Sequence, residues 1–155
     1  MTFANVTRLP LGRDFRSVFD AGPAQTRFFL TVEDRIGIER LLRQRGTRNA
    51  PNPVLLEGLL RHKLRISRGA AEPAPQELVV AGCHVTYEIG GEDARSGMLA
   101  MNPVPFPGHV LVASLLGATL IGMRVLQRAP LLRDDGRIDT VFVLDVSPPP
   151  CHHAA

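Results

Sequence analysis

Residues 78–122 read LVVAGCHVTYEIGGEDARSGMLAMNPVPFPGHVLVASLLGATLIG, and the fold turns on this stretch. Its apolar residues come in short runs: LVV at 78–80, HVTYEI at 84–89, GMLAM at 97–101 and HVLVAS at 109–114. Glycine, proline or polar turn residues separate the runs. Apolar, β-branched segments of this length predict strands. Gly90-Gly91 stands between two of them and suits a tight hairpin. LLGATLIG at 115–122 is too rich in glycine for a long helix but fits a short one packed across a sheet. A further strand is predicted at IDTVFVLDV, 138–146. Residues 77–147 therefore form a small antiparallel sheet wrapped on one short helix.

Upstream, SRGAAEPAPQ closes a linker at 67–76, and the periodicity before it changes. Leu55, Leu56, Leu59, Leu60 and Leu64 recur at helical spacing, with Asn52 as N-cap and Pro53 at the first helical position. An earlier helix follows a lead-in at Arg27–Leu30. Thr31 is its N-cap, Asp34 occupies the reciprocal capping-box position, and Ile36, Ile38, Leu41 and Leu42 form its apolar stripe. Glu33 and Asp34 open it, Arg40, Arg43 and Arg45 close it, and Gly46 ends it, an order that complements the helix dipole. Two short helices joined by GTRNAPNP (46–53) make an antiparallel helical hairpin over 28–66. Residues 1–27 read as an irregular arm and 148–155 as a tail. The fold class is α+β.

The chain has 155 residues, 45% apolar and 21% charged, with a formal net charge of +3. That is normal for a globular protein and does not mark a nucleic-acid binder. Of 18 basic residues 17 are arginine, and Lys63 is the only lysine. Two cysteines, Cys83 and Cys151, give no disulfide framework. No apolar run approaches the roughly 20 residues of a membrane helix, and MTFANVTRLPLGRDF lacks a signal-peptide core. The expectation is a soluble cytoplasmic protein that does not engage membranes.

Chemistry-bearing patterns are weak. Cys151-His152-His153 has soft-metal ligand types, but the only companions, Cys83 and His84, are adjacent and would face opposite ways on a strand. GATLIG (117–122) has the glycine spacing of a phosphate loop, yet Met123 and Arg124 replace the Lys and Ser/Thr that such a loop needs. Ser114 lies in no nucleophile elbow, and His62, His84 and His109 are isolated. No catalytic residue, metal site or cofactor is expected. Residues 33–68 hold nine basic and four acidic residues, which makes the hairpin near +5 and draws it toward phosphate or acidic protein surface.

Three stretches resemble the C-terminal domain of the Gre transcript-cleavage factors and of their shorter Rnk-type relatives, the nucleoside diphosphate kinase regulators. LVVAGCHVTYEI (78–89) resembles the family's opening valine pair, turn and strand. GMLAMNPVPFPGHVLVAS (97–114) resembles its pair of strands around a loop, and SLLGATLIGMRV (114–125) its signature, with glycines at Gly117 and Gly122. The short hairpin and FFLTVEDRIGIERLLRQ (28–44) are similar to Rnk-type chains. The resemblance implies an FKBP-like domain that docks on the rim of the RNA polymerase secondary channel, with the hairpin pointing into the channel. It places Ser114, Leu115, Leu116 and Gly117 in the docking loop and Arg45, Arg48, Asn49 and Asn52 at the hairpin tip. It also implies a monomer.

The signature's proline is Leu115 here, and its terminal Gly-Asp is Leu126-Gln127, so the chain is a divergent member. Gre factors hold a metal ion on acidic tip residues to cleave RNA, whereas GTRNAPNP has no carboxylate to offer a hard Mg²⁺ ion. The reading is thus a non-catalytic regulator of transcription. Two alternatives stand beside it. One is an FKBP-like prolyl isomerase or chaperone-like module, against which the scarcity of aromatics in the sheet (Tyr87, Phe106, Phe142) counts. The other is an arginine-rich DNA- or RNA-binding module, which lacks a stacking platform. Direct nucleic-acid contact is left open.

Overall fold

The computed structural model describes residues 27–149. Its elements in chain order are β1 (Phe29–Leu30), α1 (Val32–Arg43), α2 (Pro53–Ile66), β2 (Arg68–Gly69), β3 (His84–Ile89), β4 (Arg95–Ala100), β5 (His109–Leu111), α3 (Leu115–Leu120), β6 (Arg128–Leu132) and β7 (Ile138–Ser147). Five strands form one sheet in the order β5-β4-β3-β7-β6, and β1 pairs β2 in a small parallel ribbon. The arm's first 26 residues and the Cys-His-His tail lie outside the described residues.

Both helices start as their sequences dictate. Thr31 Oγ1 accepts from Asp34 N at 3.0 Å, and Asn52 Oδ1 accepts from Leu55 N at 3.2 Å, with Pro53 at the first helical position. Each capped amide is a donor the helix itself cannot satisfy. On α1 the buried positions are Asp34, Gly37, Ile38 and Leu41, and on α2 Leu56, Leu59, Leu60 and Lys63 face inward. Ile36, expected in the stripe, is 44% exposed, because its position falls outside the face set by Asp34, Ile38 and Leu41. Arg35 ties the hairpin together by donating to Leu64 O at 2.8 Å and Ser67 O at 3.2 Å, carbonyls at the C-terminal end of α2.

The end of α1 corrects the reading of Gly46. Arg45, not the glycine, takes the left-handed conformation at φ 53, and Gly46 N donates to Leu41 O at 2.9 Å. That 6→1 bond is the Schellman cap. At Gly46 itself a Cβ would lie 2.8 Å from Leu41 Cδ2, so that side chain would have to shift.

The sheet follows its alternation. Val85, Tyr87 and Ile89 on β3 and Val141 and Val143 on β7 are buried. A register shift opposite Thr86 and Tyr87 then brings Val146, not Asp145, into the core. Gly90 and Gly91 have φ 60 and 78, and Glu92 N donates to Ile89 O at 3.0 Å, which is a type I′ hairpin turn.

Four expectations for the sheet need correction. LVV at 78–80 makes only an isolated bridge, Leu78 to Arg124. HVLVAS is strand only to Leu111, and this strand runs parallel to β4, so the sheet is mixed. RAPLL at 128–132 is a strand that the sequence disguised with Pro130; it sits at the sheet edge, where a missing N–H is tolerated. The linker at 67–76 is not wholly irregular, since it contributes β2.

Helices and sheet share one apolar core, running from Phe28, Leu30, Ile38 and Leu59 to Val85, Leu120, Ile121 and Val141. Asp34 helps join them. Its carboxylate does not return to the Thr31 amide as a capping box would; both oxygens accept from Ala81 N at 3.3 Å, just ahead of β3. Burial raises its pKa from 3.8 to about 6, against the opposing pull of the Ala81 hydrogen bond. A folded-state pKa above the unfolded value means that Asp34 favours the fold fully below about 3.8, and that this contribution is lost as pH rises through about 6. Asp34→Asn keeps an acceptor for Ala81 and removes the titration. In urea unfolding, the variant's stability relative to wild type should therefore rise by about 2–3 kcal/mol between pH 4 and pH 7. A difference flat with pH would contradict this.

Candidate functional site

The hairpin does not project away from the sheet. Gly46 packs near Pro103 in the β4–β5 loop, and α2 lies along α3. Between them opens a cleft of about 430 Å³. One wall is the hairpin tip with Asn49, Pro51 and Asn52; the other is the start of α3 with Ser114, Leu115 and Leu116. Pro103 and Pro105, Leu131 and Leu132 of β6, and Arg133-Asp134 in the β6–β7 turn complete it.

Each wall has a local cause. Ser114 Oγ accepts from Gly117 N at 3.0 Å and donates to Leu111 O at 2.6 Å, so one hydroxyl both caps α3 and fastens it to β5. Gly117 lies directly against the β5 backbone: a Cβ would sit 1.8 Å from Leu111 O. That contact presses α3 onto the strand and leaves Leu115 and Leu116 half-buried at the cleft wall. On the other wall, Thr47 Oγ1 donates to Glu57 Oε1 at 2.8 Å and stiffens the tip. Glu57 also pairs with Arg61 at 3.8 Å.

The expected site residues are thus partly brought together. Ser114, Leu115 and Leu116 share the cleft with Asn49 and Asn52. Gly117 is buried beneath it rather than lining it, and Arg45 and Arg48 are exposed outside it. The tip sequence GTRNAPNP has no carboxylate of its own, but Glu57 of α2 reaches its Thr47. Sequence reasoning missed the β4–β5 loop, whose Pro103 and Pro105 line the cleft while Val104 and Phe106, 66% and 64% exposed, line a separate hollow with Met98, Met101 and His109. Large apolar side chains so exposed suit contact with a macromolecule. Their signal was the alternation of proline with Val104 and Phe106 over 103–107, a rigid loop with no inward face. Among the described residues, no aromatic side chain lines the cleft.

Sequence reasoning also gave Lys63 no role. It is fully buried on α2, and its Nζ donates to Thr119 O at 2.8 Å and Ile121 O at 3.0 Å, at the end of α3, with the Phe28 ring 3.5 Å away. Burial pulls its pKa well below the usual lysine value. Lys63 pins the hairpin to the end of α3. Among the described residues no helix is long and apolar enough to cross a membrane.

No family model matches the sequence, and no curated protein matches it. Among solved structures, a prokaryotic transcription elongation factor GreA/GreB from Nitrosomonas europaea is similar at TM-score 0.55 and 16% identity, over 79% of this chain and 100% of that one. The GreA factor homolog Gfh1 of Thermus thermophilus is 15% identical at TM-score 0.37, over 79% of this chain and 99% of the other. Thermus aquaticus Gfh1 is 15% identical at TM-score 0.38, with the same coverage. The described residues have a GreA/GreB-like, mixed α+β fold with a curled five-stranded sheet.

Proposed function

We propose that this chain binds RNA polymerase and regulates transcription without performing chemistry, and that the cleft between the hairpin tip and α3 is its docking surface. The observation that carries this reading is the meeting of Leu115, Leu116 and the tip asparagines on one concave surface, with Pro103 and Pro105 at its edge. The similarity in fold to an elongation factor supports the choice of partner. The finer reading is a Rnk-type chain with an FKBP-like sheet. Helices of 12 and 14 residues support it, since at 1.5 Å per residue they extend only about 20 Å. A hairpin so short, folded onto its own domain, acts at the channel rim by occupying the surface other factors need.

We extend the proposal to cleavage. Glu57 is engaged by Thr47 and Arg61, and the tip loop supplies no other carboxylate, so the pair of acidic ligands that a catalytic Mg²⁺ ion needs is not assembled there. The test is competition on core polymerase. The chain should displace a Gre factor in a concentration-dependent way and add no RNA cleavage to stalled complexes. Failure to displace it would remove the polymerase reading; cleavage above the polymerase background would remove the non-catalytic one. The leucine and proline lining of the cleft, without an aromatic, does not favour prolyl isomerase chemistry.

A further inference from the structure

A second hollow, of about 560 Å³, lies past the C-terminal end of α3 and gathers Arg27, Arg124 and Arg128 around Phe29 and Leu126. Gln127 builds it: its Nε2 donates to Arg27 O at 3.0 Å, and its Oε1 accepts from Arg124 N at 2.8 Å. The guanidinium of Arg124 lies 4.6 Å over the Phe29 ring, and that of Arg128 lies 4.1 Å over Phe142. Stacking fixes the guanidinium planes and leaves their N–H edges to donate. The ion pairs among the described residues join Arg61, Arg95, Arg133 and Arg137 to carboxylates, so none of the three arginines here pairs with a described carboxylate. Leu126, 68% exposed, is held at φ 66 by its N–H bond to Val143 O at 2.7 Å. A leucine in that conformation costs on the order of 1 kcal/mol, and here it presents an apolar side chain to solvent amid positive charge.

We propose that this hollow binds the phosphodiester backbone of single-stranded nucleic acid, with the arginine edges on phosphates and Leu126 against a sugar or base. Guanidinium planes preset by stacking suit tetrahedral phosphate oxygens. An apolar contact at their centre suits an unpaired nucleotide, which exposes its base, more than an acidic protein surface, which would leave the leucine uncovered. The concavity takes one strand rather than the convex face of a duplex. The inference is independent of the polymerase reading.

The test is fluorescence anisotropy of a labelled oligouridine, titrated with the full chain in the absence of polymerase across a range of salt. Three phosphate contacts predict a log–log salt slope of about −2. Arg124→Gln with Arg128→Gln should weaken binding about tenfold or more and bring the slope near −0.7, one remaining contact. Arg124→Lys with Arg128→Lys should fall between, since charge is kept and the stacked fork is lost. All three proteins should melt alike, and Arg27→Gln, which touches neither stack, provides a milder variant with the same direction of effect. Absence of salt-dependent RNA binding, binding unchanged in the glutamine pair, or preference for duplex would each overturn the inference. So would a glutamine pair that loses polymerase but never bound RNA, because it would assign the arginines to a protein surface.

Discussion

Gly117→Ala is expected to cost about 4 kcal/mol or more, the exceptional end of the range for a single substitution. The added methyl would stand 1.8 Å from Leu111 O, 2.5 Å from Leu111 C and 2.9 Å from Val112 Cα. All three are backbone atoms, so no side chain can rotate away. Relief requires α3 to lift off β5, which breaks the Ser114 bond to Leu111 O and uncovers Ala118, Leu120 and Ile121, each buried in the core. Thermal melting should show a midpoint lower by about 15 °C or more, from a few degrees per kcal/mol in a domain of this size. Gly91→Ala is the control: nothing lies within 4 Å of its Cβ position, and the change meets only the strain of φ 78. Equal effects at the two glycines would contradict the close packing of α3.

Lys63→Ala carries the second large effect. Lys63 Nζ satisfies the carbonyls of Thr119 and Ile121, and Phe28 covers the same nitrogen. Removing the side chain strands two buried acceptors, at about 1–3 kcal/mol each, and opens a cavity besides. Relief from burying the ammonium, whose pKa burial has lowered, offsets part of this. A net loss of about 3–5 kcal/mol is expected, with Lys63→Met losing less because it fills the space. The sign with pH follows from the lowered pKa: the unfolded chain binds more protons in the window below 10.5, so wild-type stability should rise with pH through that window. Lys63→Met should lack that rise. A methionine variant as stable as wild type across the whole range would show that the two carbonyls need no partner.

These two residues also mark how far the sequence could be read. The α+β class, the helical hairpin and the strands at 84–89 and 138–146 were legible because alternation, caps and turn glycines agreed with the final packing. The strand at 128–132 was not, since Pro130 and the flanking arginines imitate a loop, and only its place at the sheet edge makes the proline acceptable. The parallel pairing of β5 was not legible because the direction of a strand leaves no mark in its composition. Within the site, Ser114 and Asn52 announced themselves as caps, but nothing in GTRNAPNP says that the tip folds back toward Pro103. Lys63 did leave a signal. In a chain with 17 arginines, a single lysine marks a position where a compact ammonium fits and a planar fork does not.

If the cleft is a polymerase-binding surface, co-purification of the chain with core RNA polymerase measures it directly. Three proteins are needed: wild type, Leu116→Asp at the half-buried wall, and Pro105→Glu at the exposed one. Pro105→Glu guards against a Leu116 variant that merely misfolds. Stable binding by wild type, lost in both variants while their melting is unchanged, is the predicted result. Wild type that fails to bind, or variants that bind as well as wild type, would contradict the claim and leave the fold without this function.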